Sequence, residues 1–148
     1  MNKQHSIANI TLWANRVVMA GMVVLLFTLK YILNWYELFR QLLPVERTAI
    51  VIAFYCCSVF IFWALWNMEG LLKAILADQV FIKENVKRIR RIQWCCTLVS
   101  LICIPACFAY MPLLLVTVIM AFLSLAVNVL ACVMDSAVAI REENDLTI

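Results

Sequence analysis

The residues Phe81 to Trp94, FIKENVKRIRRIQW, set Lys83, Lys87, Arg88, Arg90 and Arg91 between two long apolar blocks. Cations this dense can hold phosphates, bind anionic lipid headgroups, dock an acidic protein surface, or orient a chain in a membrane. On a helix, Ile82, Val86, Ile89 and Ile92 or Gln93 fall on one stripe, with Lys87, Arg88, Arg90 and Arg91 opposite. Aromatic side chains for base stacking are sparse here and the apolar stripe takes half of the helix, so no direct nucleic-acid contact is expected.

Three other constellations could carry chemistry. The seven cysteines, Cys56, Cys57, Cys95, Cys96, Cys103, Cys107 and Cys132, contain no C-x-x-C pair, and His5 is the one histidine. Cys103 and Cys107 lie one helical turn apart, but a closed zinc site needs four convergent ligands. Packing is the expected role of these thiols, with no cofactor and no metal. Lys30 is the one formal charge well inside an apolar segment, with Asn34 and Glu37 at i+4 and i+7 on its face. Snorkelling outward, or pairing with Glu37, is expected for it. Ser124, Asn128 and Asp135 recur on one side of a later helix, shared by Cys132. Interhelical bonding is expected of Asn128, and ion pairing with Arg16 or the basic helix of Asp135. Lys30, Asn34 and Asn128 are together the candidate intramembrane polar site.

The elements that must position these groups follow from composition. The 148 residues are 66% hydrophobic and 14% charged, with mean hydropathy +0.97. A soluble domain is about 45–50% apolar and about 25% charged, so the solvent for this chain must be lipid. Four stretches are long enough to cross a hydrocarbon core: roughly 17–36, 49–68, 92–111 and 112–134. They predict a single all-α membrane domain of four spans, a four-helix bundle, with helical extensions from spans 2, 3 and 4. The first apolar run is too long for a signal peptide and is read as retained. Pro112 suits the first turn of the fourth helix, while Pro105 predicts a kink in the third.

With four spans, both termini and the 69–91 loop share one side. That side carries nine Lys or Arg against two in the first loop, Arg40 and Arg47. The positive-inside bias therefore places both termini in the cytoplasm. Trp13, Trp63, Trp66 and Trp94 near the inner ends, and Trp35, Tyr36 and Tyr110 near the outer ends, agree with headgroup-level placement.

The tail from 135 to 148 supplies a partner for the basic loop. Its side chains Asp135, Glu142, Glu143 and Asp145 stand against Arg141, a formal −3, while the 69–91 loop carries a formal +3. The two are expected to neutralise each other, setting register more than stability. Leu146, Thr147 and Ile148 read as extended, as do Val80, Phe81 and Ile82, and the two pieces are expected to pair as strands. The predicted cytoplasmic platform comprises Lys83, Glu84, Asn85, Lys87, Arg88, Arg90, Arg91, Asp135, Arg141, Glu142, Glu143 and Asp145.

The loop residues Phe81, Glu84, Asn85, Val86, Arg88, Ile89 and Arg91, followed at the chain end by Glu143, Asp145, Leu146 and Thr147, carry a resemblance. In these two separated motifs and in span layout the chain resembles the YoaS-like family of small bacterial four-helix membrane proteins, a domain of unknown function. It departs where the family often has Gly before the Phe, here Asp78 to Val80, and Ser or Thr after it, here Ile82. The third helix is therefore expected to start without a side-chain cap. The resemblance implies a bacterial plasma-membrane protein, often encoded beside a small helix-turn-helix regulator; it carries over no biochemical activity, and a non-enzymatic protein is expected. A membrane-bound partner or antagonist of such a regulator is the first functional expectation. The alternatives are a small oligomeric exporter of amphiphiles and a lipid-sensing module, with the bilayer and further copies of the chain as other partners.

Overall fold

The computed structural model describes residues 2–77 and 79–146, with side chains for 6–77 and 79–144. Four helices follow one another: α1 (Asn2–Glu37), α2 (Pro44–Leu76), α3 (Lys83–Ala109) and α4 (Leu113–Leu146). Each is long and apolar enough to cross a membrane. In lipid a helix satisfies its own backbone, so four long helices joined by short turns are the economical solution for this composition. The chain is a small multi-pass membrane protein.

α1 starts well before the expected span at Val17, and nothing between Asn2 and Glu37 breaks it. Pro44 opens α2 at its first turn, where its missing N–H costs no bond, and the Glu46 carboxylate accepts from the Leu43 N–H at 3.0 Å. α3 begins after Ile82, which is extended and offers no side-chain cap, and runs through Pro105 without ending. Pro112 lies in the turn just before α4.

Packing follows chain order. α1 packs on α2, α2 on α3 and α3 on α4, while α1 does not approach α4 and α2 does not approach it through the backbone. Among the described residues the four helices thus pack as a succession of neighbouring pairs, and the expected four-helix bundle is not shown. α3 is the most buried helix, and its residues Val99 and Cys103 join Cys57 of α2 in the core, against Phe60, Ile61, Ile102 and Met120. α4 turns most of its length outward, with Leu115, Phe122, Leu125 and Val129 exposed, as a lipid solvent allows.

Two expectations change. Leu146 belongs to α4, which has neither Gly nor Pro after Pro112 to stop it, and Val80 to Ile82 form an irregular turn. Among the described residues there is no strand, so the expected pairing is not formed there; Thr147 and Ile148 lie outside the described residues.

Candidate functional site

The start of α1, the α2–α3 turn and the end of α4 lie together at one end of the molecule, the basic end. Arg16 of α1 bonds Glu69 of α2 at 3.1 Å, and Lys73 meets the same carboxylate at 2.9 Å. Asn15, buried, donates to the Leu65 carbonyl at 3.2 Å and fixes α1 against α2 one turn deeper.

α3 distributes its cations in several directions from this point. Lys83 and Arg90, seven residues apart and so on one side of the helix, both reach α4: Lys83 pairs with Glu142 and Arg90 with Asp135, each at 2.9 Å. Asp135 therefore has its partner on the basic helix, and Arg16 has Glu69 instead. Arg88 turns toward α2 and donates to the Gly70 carbonyl at 2.7 Å. A Cβ at position 70 would lie 3.2 Å from that guanidinium carbon, so the missing side chain of Gly70 makes the approach possible. Glu84 lies 3.6 Å from Arg91 and 3.9 Å from Arg88. Lys87 is exposed and has no ion-pair partner among the described residues.

Asn85 is the pivot. It is wholly buried, and its Nδ2 donates to the carbonyls of Gln79 at 2.7 Å and Val80 at 2.9 Å. Its Oδ1 lies 3.5 Å from Arg88 Nη1. A single buried amide thus satisfies two loop carbonyls that lie outside any helix. Val86 and Ile89 are buried beside it, as their stripe predicts. Two of the predicted platform residues are accordingly committed inward: Asn85, wholly buried, and Arg88, partly exposed, hold the α2–α3 turn together. The residue types gave no sign of this, because a lone Asn in a charged run looks solvated. Gly70, eighteen positions before Arg88, is the signal that could have pointed to it.

On the tail, Glu142 is tied to Lys83, and Arg141 is exposed without an ion-pair partner among the described residues. Glu143 is exposed, and the Asp145 side chain lies outside those described. Phe81, Ala137, Ile140, Arg141 and Asn144 line a shallow recess of roughly 390 Å³ between the turn and the tail.

The candidate intramembrane site does not assemble. Asn34 accepts from Arg47 Nη2 at 2.9 Å, and Glu37 pairs with Arg47 at 3.0 Å, so of the two expectations for Lys30, snorkelling or pairing with Glu37, the pairing is not formed. Arg47 wins because the turn brings its helix start beside Glu37, whereas Lys30 sits two turns back. Lys30 is exposed. Asn128 is also exposed and bonds no described residue; the hydroxyl of Ser124, one turn earlier, makes the interhelical bond, to Thr97 at 2.7 Å.

At the opposite end, Tyr36 and Tyr110 share a hydrogen bond of 3.1 Å, and Arg40 stands over the Tyr110 ring. The bond with Tyr36, and then burial, raise the Tyr110 phenol above its ordinary range. Among the thiols, Cys103 faces Cys57 at 3.7 Å across α2 and α3, while Cys107 lies 3.2 Å from the Thr117 hydroxyl. Among the described residues no three His, Cys, Asp or Glu side chains converge as metal ligands.

No curated protein matches the chain, and no solved structure does. A family model of unknown function matches at residues 11–148, covering the basic turn and the tail together; it agrees with the resemblance at the level of the family, without the narrower YoaS-like name. The chain therefore belongs to the family described as Protein of unknown function (DUF2975).

Proposed function

We propose that this protein is a non-enzymatic docking protein of the bacterial inner membrane, whose basic end faces the cytoplasm and binds a small helix-turn-helix regulator. The observation that carries this reading is the recess beside Phe81. Phe81 and Ile140 are exposed there on a frame cross-linked by Lys83–Glu142 and Arg90–Asp135, with Arg141 at its edge. An exposed aromatic beside an arginine, on a backbone already ordered, suits the anchor residues of a protein interface. The excess of Lys and Arg at this end supports its cytoplasmic placement. The regulator as partner rests on what the family resemblance implies.

The exporter reading has less support: Lys30 and Asn34 are exposed one turn apart on α1, Asn128 is exposed on α4, and Asn34 bonds Arg47 instead. The docking reading is tested by co-purification from native membranes. The full chain should bring a small DNA-binding protein with it, and chains carrying Phe81→Ala or ending after Ile140 should not. Recovery of no such protein with the full chain would overturn the reading.

A further inference from the structure

α1 and α3 both flank α2 without backbone contact between them among the described residues; Tyr36 and Tyr110, the latter just after α3, bond at the end away from the basic turn. Toward the basic end the space beside α2 stays open as a groove of roughly 670 Å³. That is within the range of small-molecule sites, about 300–1,000 Å³. Its walls are apolar: Met22 and Leu26 from α1, then Val59, Phe62, Trp63 and Trp66 from α2. Arg91 of α3 is the one charged residue lining it.

We infer that this groove binds one anionic phospholipid of the surrounding bilayer, its acyl chain along α2 and its headgroup on Arg91. Depth supports the assignment. Along α2 the groove runs from Ser58 to Asn67, a rise of about 14 Å, or half of a hydrocarbon core about 30 Å thick. One leaflet is half of that core. Asn67 lies at the same end as Arg91, one turn from the Trp63 carbonyl that its amide bonds, and Trp63 and Trp66 mark the headgroup level.

Charge supports it too. Among the described residues Arg91 has only Glu84 as an ion-pair partner, at 3.6 Å, and half of its side chain is exposed, so its guanidinium keeps donors for a phosphate. Arg88, by contrast, is committed to Gly70 and Arg90 to Asp135. An apolar trough with a single cation at its mouth is complementary to an amphiphile with one negative headgroup. The inference is independent of the docking reading, since no residue of the groove lines the recess at Phe81.

The test uses the full chain with Trp13→Phe, Trp35→Phe and Trp94→Phe, leaving Trp63 and Trp66 as reporters. It is reconstituted in phosphatidylcholine vesicles containing a fixed fraction of either phosphatidylglycerol or phosphatidylcholine, brominated in the acyl chains. The brominated anionic lipid should quench with an apparent association about fivefold stronger than the neutral one, the effect of one cation at a membrane surface. Arg91→Gln should abolish that preference, Arg91→Lys should retain most of it, and Lys87→Gln, one turn away, should leave it intact. Equal quenching by both lipids would overturn the proposal. So would a preference that survives Arg91→Gln, or one that Lys87→Gln lowers as much, because either would mean diffuse surface charge.

Discussion

The two ends of the molecule both carry charged turns, but they hold those turns by different means. At the basic end the α2–α3 turn is pinned from inside, by an Asn85 that no solvent reaches and by Arg88 on the Gly70 carbonyl. At the other end the α1–α2 turn is held from outside, by Arg47 on Glu37 and Asn34 and by Arg40 4.0 Å from Glu46, all partly exposed. Similar side chains therefore have unequal worth. Exposed pairs contribute up to about 1 kcal/mol each, whereas a buried carbonyl left without its donor costs about 1–3 kcal/mol. The inner device fixes the α2–α3 turn from within, whereas the outer turn rests on exposed pairs.

Four substitutions break or sharpen this contrast. Asn85→Leu should have the largest effect, a loss of about 3 kcal/mol in detergent unfolding, because the Gln79 and Val80 carbonyls lose the two bonds that a wholly buried amide gives them. Arg88→Met should cost about 1.5 kcal/mol by the same measurement, since one charge-assisted bond is lost from a partly exposed group. Gly70→Ala sharpens the point. In the Arg88→Met background it should stabilise by about 0.5–1 kcal/mol, the ordinary helical gain over Gly, and in the native background most of that gain should vanish against the guanidinium. Arg47→Gln at the outer turn should change stability by less than about 1 kcal/mol, and the difference should shrink further in high salt. A loss at Arg47 as large as that at Asn85 would remove the distinction between the two ends.

Much of the architecture is legible in composition and spacing. Four apolar stretches give four membrane-capable helices, because lipid leaves the backbone no alternative. The Val86 and Ile89 stripe shows which side of α3 packs, and the opposite charges of turn and tail show that α3 and α4 meet there. What periodicity does not reveal is how each long side chain is spent. Arg88 and Arg91 look alike in a helical projection, yet one is committed to a carbonyl of α2 and the other lines a groove, a difference made by Gly70 on another helix. Asn85 carries a polar residue's signature and a core residue's burial. The tail at Leu146 reads as extended by residue type, but α4 continues through it, with Glu142 one turn back tied to Lys83.

The central claim, that the basic end is a docking face, is tested most directly by photocrosslinking in living cells. A benzophenone side chain replaces either Phe81, at the recess, or Phe39, also aromatic and more exposed, at the opposite end. The account predicts an adduct with a small DNA-binding protein from position 81 and none from position 39. No such adduct from position 81, or equal adducts from both, would contradict it.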